Sequence, residues 1–291
     1  MKIFTLLLVI TAYLFAFKTS AVSVTSTVVS NGQTTLIKFK PQKGVKYRSV
    51  LVDKKHFGIF DMPQQKKLKY ALIPFSYYAK NGNKNIFIEY VQNKKKRTKK
   101  MLLKIRNGRY VKESIKVNPS KVNPKSIEVK KRISKEYNEA MRIYGTITPT
   151  SYLTRPFILP LNSKITSAFG KARIYNGSLK GYHSGTDFRA KMGTPIIASN
   201  DGRVALVKKR FYSGGTVLID HGQGIYTCYF HMSKFSVKVD DLVERGEKLG
   251  LSGASGRVTG PHLHFSARIN KVQVDPLQLI ELMNSTLLSG K

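Results

Sequence analysis

Five histidines and one aspartate between residues 183 and 264 are the side chains in this sequence best suited to chemistry. Apart from His221, they fall in three runs: Tyr182-His183-Ser184-Gly185-Thr186-Asp187, Tyr229-Phe230-His231-Met232-Ser233 and Gly260-Pro261-His262-Leu263-His264-Phe265. Only His56, of six histidines in all, lies outside this stretch. Neutral imidazole and carboxylate are the ligand types of a catalytic zinc, which takes three from the protein and leaves one position for water. His183, Asp187 and His264 are therefore the expected metal ligands, at a hydrolytic site.

His262 and His264 are two apart. On a strand that spacing turns both imidazoles to one face and sends Leu263 and Phe265 to the other, into the core. One histidine can then bind metal while its neighbour faces the substrate. His183 and Asp187 are four apart, which suits a helix face or a turned loop, and Gly185 between them favours the loop. There is no H-E-x-x-H helix to supply a glutamate base. His231 and His262 are left to orient or deprotonate the water and to stabilise a tetrahedral oxyanion, and spacing does not assign the two roles. His221, in Ile219-Asp220-His221-Gly222, sits at a turn and is expected to be structural. Tyr182, Tyr229 and Asn176 are expected to touch substrate. The competing reading, in which these histidines are ordinary core or surface residues, would bury several imidazoles without partners, which is costly. A metal removes that cost.

The elements that must position these residues are mainly strands. From Arg155 onward, short alternating runs and glycine-rich turns predict strands over 164–168, 194–199, 202–208, 216–220, 226–231, 248–252 and 262–269. A short helix over Pro276–Met283 is expected to close the chain. Within 226–231, alternation puts Cys228 on one face with Tyr226 and Phe230, and His231 on the other with Tyr229. Cys228 is the single cysteine, so no intramolecular disulfide forms, and a buried apolar thiol is the expectation. Upstream, 34–39, 47–52, 70–75, 86–90 and 101–105 read as strands separated by Asn31-Gly32, Asn81-Gly82 and Asn107-Gly108 turns. That pattern predicts a small β-sandwich of immunoglobulin-like shape. The run Lys94 to Lys100 is expected at a solvated hairpin tip. Asn118-Pro119 and Asn123-Pro124 mark a linker. Ser126 to Tyr144 has helical periodicity, with Val129, Ile133, Tyr137, Ala140, Met141 and Tyr144 on one face.

The expected fold is thus mainly β: an N-terminal β domain over 22–117, a linker and helix over 118–150, and an antiparallel β-sheet domain with a groove over 151–291. Residues 1–21 read as a secretory signal, with Lys2, an uncharged apolar run from Ile3 to Phe17, and Thr19-Ser20-Ala21 at the cut. The apolar run is short of the ~20 residues that span a bilayer, which favours cleavage over a retained anchor. The mature chain is expected to be exported, and to act in the periplasm. Net charge is +35, from 51 Lys+Arg against 16 Asp+Glu. Such a balance raises nucleic acid first. An exported chain without a nucleic-acid motif argues against it, leaving anionic wall polymers or a membrane surface as electrostatic partners.

Six motifs in order resemble the lysostaphin-type zinc metallopeptidases, which cut peptide bridges of bacterial peptidoglycan. They are Ile165-Thr166-Ser167-Ala168-Phe169-Gly170, His183-x-Gly185-x-Asp187, Gly193-Thr194-Pro195, Asp220-His221-Gly222, Tyr229-x-His231, and Gly253-x-x-Gly256 followed by Thr259-Gly260-Pro261-His262-Leu263-His264-Phe265. The resemblance covers roughly Phe157 to Pro276. It implies zinc on His183, Asp187 and His264, with His231 and His262 as the catalytic pair, in a groove walled by loops. It also implies an endopeptidase of peptidoglycan cross-links, of the D-alanyl–diaminopimelate kind since no glycine-bridge targeting domain is visible, with trimming of pentapeptides as a carboxypeptidase alongside. The upstream part resembles, more loosely, non-catalytic regions of exported endopeptidases of Gram-negative bacteria. One departure is Asp240, where the family has glycine; it bears on a turn and not on the metal. Two other function classes compete: a non-catalytic wall-binding or amidase-activating module, and a polyanion-binding protein. Retention of every ligand residue favours the enzyme. Latent relatives also raise the expectation that the N-terminal domain and the 126–144 helix fold over the groove and occupy the open zinc position.

Overall fold

The computed structural model describes residues 21–116, 124–175 and 177–289. The expected signal at 1–21 lies, but for Ala21, outside the described residues, as do the Asn118-Pro119 pair and Asn123 of the expected linker.

The N-terminal half is a β-sandwich. One sheet orders Val22–Val24, Thr34–Phe39, Lys69–Pro74 and Phe60–Asp61; the other orders Val28–Ser30, Lys95–Arg106, Gly82–Gln92, Val45–Val52 and Lys55–Gly58. Period-two alternation builds its core, so that Ile86, Ile88 and Tyr90 point inward while Phe87, Glu89 and Val91 point out. Ile37, Ile73, Ile86, Ile88 and Leu103 meet between the sheets. The basic run is placed differently from its expected hairpin tip. Asn93 and Lys94 make the turn, with φ of 51° and 61°, and Lys95 to Lys100 continue into a strand paired with Gly82–Gln92. Alternating long cations tolerate that position because their ends reach water while the stems lie along the sheet.

The strand Thr34–Phe39 is buried on both faces. Ile37 and Phe39 face the sandwich core, while Leu36, with Tyr70, Leu72 and Met62, packs on Ile225, Ile269, Val274 and the helix Pro276–Thr286. Tyr70 donates its hydroxyl to Gln223 across the same boundary. The sandwich is thereby tied to the C-terminal half by apolar burial, the main favourable term in packing.

The C-terminal half is organised by an antiparallel sheet in the order Ile165–Ser167, Thr186–Arg189, His262–Ile269, Ile225–Met232, Gly214–Asp220, Gly202–Arg210 and Leu242–Val243, with Val272–Val274 added as a hairpin on His262–Ile269. One face of this sheet, carrying Leu263, Phe265, Tyr229, Val217 and Ile219, is the core. The other face is divided. Leu206, Leu218, Tyr226 and Cys228 lie under the helix Ile127–Ile143, and the histidines occupy the rest.

That helix is capped by Ser126, whose hydroxyl accepts from Val129 N–H. Its buried face differs from the expected one: Tyr137 is 59% exposed and Glu136 is buried. Glu136 is held by Arg132 Nε at 2.8 Å and by the Phe211 amide at 2.8 Å, so a paired carboxylate takes the inward position that an apolar residue was expected to fill. A further difference is the strand Lys112–Ile115, which joins Ala172–Tyr175 in parallel and thereby lies at the mouth of the groove.

Candidate metal centre and groove

The strand His262–Ile269 is the floor of the site. Its alternation is regular, with Leu263 and Phe265 fully buried and His262 and His264 turned to the open face. Thr186–Arg189 pairs beside it and sets Asp187 opposite His264. His183 reaches the same point from the preceding loop. The turn between them passes so close to the floor that a Cβ on Gly185 would stand 2.3 Å from Phe265 O and 2.7 Å from His264 Nε2. Glycine is required there for close approach.

Three ligand atoms converge. His183 Nε2 is 2.8 Å from Asp187 Oδ1 and 3.0 Å from His264 Nδ1, and His264 Nδ1 is 2.7 Å from Asp187 Oδ1. They are the His/Cys/Asp/Glu group found among the described residues with geometry able to hold a metal ion. The His183 ring is fixed from outside. His183 donates Nδ1–H to Ala168 O at 2.8 Å, which fixes the tautomer and leaves the Nε2 lone pair aimed at the cluster. Burial would raise the Asp187 carboxyl, but the hydrogen bonds and charges of His183 and His264 outweigh it and hold the group well below the usual carboxylate range. Burial pulls His264 down to about 4 against the opposing pull of Asp187. Two imidazole nitrogens and one ionised carboxylate converging on one point are a donor set that fits a divalent metal.

His231 and His262 flank this cluster, their rings 4.9 Å apart. His262 donates Nδ1–H to Gly260 O at 2.9 Å, and its Nε2 lies 3.7 Å from Asp187 Oδ1. His231 donates Nδ1–H to Ser255 O at 2.8 Å. Burial first, then the neighbouring His264 and His262, brings His231 down to about 3, so it stays a neutral acceptor at physiological pH. Strict alternation put His231 on the same face as Tyr229, which in the structure is the core face. The structure instead turns it to the groove, because His231 adopts φ of 64° at the end of its strand. A non-glycine residue held in the left-handed region is strained, and such strain is concentrated at functional sites.

Other expectations resolve unevenly. Tyr182 lines the groove and stacks on Tyr77 of the sandwich at 4.0 Å. Tyr229 is fully buried, with its hydroxyl accepting from the Ser199 amide, and is out of reach of any substrate. Asn176 lies outside the described residues. His221 is fully buried and satisfied at both nitrogens, by Asp201 O and Thr227 Oγ1, each at 2.7 Å. Cys228 is fully buried against the Tyr144 hydroxyl, and burial pushes its thiol up to about 11. His56 is exposed and pairs with Glu89. Asp240 adopts the left-handed backbone that a glycine would permit, φ 71°, and accepts from Arg203 at 2.7 Å.

Sequence reasoning missed Arg173. Its guanidinium is nearly buried and bridges Asp187 Oδ2 at 3.2 Å to Glu113 Oε2 at 3.1 Å. The second oxygen of the ligand carboxylate is thus held by a cation. The signal lay in its position three residues after Gly170, close behind a quoted motif. Glu113 was missed too, since nothing local marks the strand that carries it. It accepts from Ser167 Oγ and Lys171 and, with Ser114 and Lys116, lines the groove, whose volume is about 630 Å³. The helix Ile127–Ile143 does not line it.

Residues 181–276 match the profile of Peptidase family M23. The chain carries a peptidase family M23 domain. Over 96 residues it is 43% identical to the peptidoglycan DD-endopeptidase ShyB of Vibrio cholerae, covering 33% of this chain and 22% of that one. Over 109 residues it is 44% identical to ShyA of the same organism, also named a peptidoglycan DD-endopeptidase, covering 36% and 25%. The chain therefore spans about a quarter of the length of these relatives. A solved structure described as a peptidase M23 from Pseudomonas aeruginosa superposes with a TM-score of 0.67 at 25% identity, over 87% of this chain and 95% of that one. The likeness thus extends through the sandwich, well beyond the M23 domain itself.

Proposed function

We propose that this protein is an exported, zinc-dependent endopeptidase that hydrolyses peptide cross-links of bacterial peptidoglycan, of the D-alanyl–diaminopimelate kind, in the periplasm. Trimming of pentapeptides as a DD-carboxypeptidase belongs to the same reading, since both bonds join D-alanine to a D-configured amine. The carrying observation is the convergence of His183 Nε2, Asp187 Oδ1 and His264 Nδ1 at the foot of a groove, with two more imidazoles beside them. The M23 match and the names of the relatives support the reaction class.

His183, Asp187 and His264 would hold the zinc, which when bound lowers the pKa of a coordinated water towards ~7 and polarises the scissile carbonyl. The chain supplies the rest. His231 and His262 each commit Nδ1–H to a backbone carbonyl, so each offers an Nε2 lone pair to the groove. A lone pair there can take a proton from the attacking water, and the resulting N–H can stabilise the oxyanion or pass the proton to the leaving amine. Arg173 pairs with Asp187 Oδ2 and fixes the orientation of the carboxylate. The test is mass analysis of muropeptides released from purified sacculi by the zinc-loaded protein, with His264→Ala alongside. Loss of cross-linked dimers and accumulation of monomers with the intact protein alone is the expected result. No release by a zinc-replete preparation, where a known endopeptidase succeeds, would overturn the reading.

A further inference from the structure

The groove holds a cation whose position singles it out. Arg189 is exposed, lines the groove, and stands directly opposite His262 in the antiparallel ladder. Opposed residues share a face with Cβ atoms about 4.5–5.5 Å apart, so Arg189 points to the same side as His262 and as Asp187, two residues before it. Among the described residues its side chain has no acidic partner. The acids of the groove are already committed: Asp187 to His183, His264 and Arg173, and Glu113 to Arg173 and Lys171. The other arginines there are engaged as well, Arg173 between two carboxylates and Arg257 over the ring of Tyr212 at 4.5 Å.

We propose that Arg189 is the specificity-determining residue that receives the carboxylate carried by the leaving side of the substrate; this rests on the cross-link reading above. In a bond between D-alanine and one end of diaminopimelate, the carbon bearing the leaving nitrogen keeps a free carboxylate. The same holds for a terminal D-alanyl–D-alanine bond. In a glycyl bridge that continues as peptide, the equivalent carbon bears an amide carbonyl. A guanidinium beside the flanking histidine reads that difference, because its planar fork matches a carboxylate with two parallel N–H···O bonds. Arg189 thereby selects bonds whose leaving amine is an amino acid with a free acid group, whether the bond is a cross-link or a chain end.

Two peptides test this, identical in the D-alanyl–diaminopimelate amide but with the leaving-side carboxylate either free or converted to a carboxamide. The full chain, zinc-loaded, should cleave the acid with a kcat/KM roughly 10- to 100-fold above the carboxamide, as one charge-assisted contact allows. Arg189→Gln should lose that factor on the acid and keep the wild-type rate on the carboxamide, with Arg189→Lys in between and zinc content equal throughout. Equal loss on both peptides, or no loss on either, overturns the assignment. Cleavage of both peptides at one rate by the wild-type chain also overturns it while leaving the endopeptidase reading standing. Cleavage of neither by zinc-replete protein removes that reading, and the inference with it.

Discussion

Two ends of one sheet face meet opposite needs on neighbouring strands. At the covered end Leu206, Leu218, Tyr226 and Cys228 lie under the helix Ile127–Ile143, and two buried polar groups there find partners within the protein, Cys228 in Tyr144 and Glu136 in Arg132 and the Phe211 amide. At the open end, on the adjoining strands Thr186–Arg189 and His262–Ile269 and the loop before them, His183, His264 and Asp187 turn two ring nitrogens and a carboxylate oxygen toward one another. Buried polar groups normally find partners, and a divalent cation would be one that all three inward atoms share. Burial alone therefore does not mark the site. Four histidines are buried, and what sets His221 apart from His183 and His264 is that its nitrogens meet Asp201 O and Thr227 Oγ1, neither of them a ligand candidate.

The strongest way to break this contrast is at the open end. His264→Ala should abolish bound metal, read by elemental analysis, and reduce sacculus digestion to background, while the far-ultraviolet circular dichroism stays native. At the covered end the reverse should hold. Leu218→Ala removes a fully buried side chain and should cost about 2–5 kcal/mol of stability by denaturant unfolding. Its metal content and its activity per folded molecule should match wild type. A Leu218→Ala protein that lost metal at full stability would show that the two ends are one unit.

His221 sharpens the contrast through pH. Burial lowers its folded-state value to about 4 from 6.5, so the unfolded chain binds the proton more readily. Stability from this group is fully present above pH 6.5 and is lost as pH falls from there through about 4, by up to ~3 kcal/mol. Denaturant midpoints of the wild type and His221→Gln should accordingly converge as pH drops from 7 to 4, in metal-free protein. Parallel curves would mean that His221 carries no such linkage.

These residues were legible to different degrees, and the reasons are local. His262 and His264 read directly, because strand alternation is a short-range rule and the strand keeps it throughout. Alternation failed at His231, one residue further than it held, because the left-handed backbone there breaks the period and leaves no mark on composition. The sandwich was readable from its period-two runs and turn dipeptides. The Lys112–Ile115 strand was not: its four residues carry no strong pattern, and the partner that makes them a strand is distant in sequence. The inward face of the helix was misread at Glu136 because a carboxylate becomes a core residue only once Arg132 and the Phe211 amide are placed around it. Tyr229 was misread for the converse reason, its hydroxyl being spent on the Ser199 amide.

Arg173 separates metal binding from the proton-handling histidines. It touches Asp187 from behind and contacts neither His231 nor His262 through any hydrogen bond. Arg173→Gln should weaken metal affinity roughly 10- to 100-fold, as loss of an outer partner of a ligand does, measured by competition with a chelator. At saturating metal most of the activity should return. A variant with normal affinity and lost activity would move Arg173 from the ligand side of the site to the substrate side.

The smallest effect is expected at Glu113, and its size decides where the site ends. Glu113 shares Arg173 with Asp187, at 3.1 and 3.2 Å, and also takes Lys171 and the Ser167 hydroxyl. The side chains of Glu113 and Lys171 are each a quarter exposed, so solvent screens their pairing and the loss should be about 1 kcal/mol or less. Glu113→Gln keeps a hydrogen-bond acceptor in place and removes the competing charge, which leaves Arg173 wholly to Asp187. Metal affinity should then hold or rise slightly, opposite in sign to Arg173→Gln. If Glu113→Gln instead weakens metal binding as much as Arg173→Gln, the carboxylate orients Arg173 rather than competing for it. The Lys112–Ile115 strand would then be part of the metal centre's own support, not merely a wall of the groove.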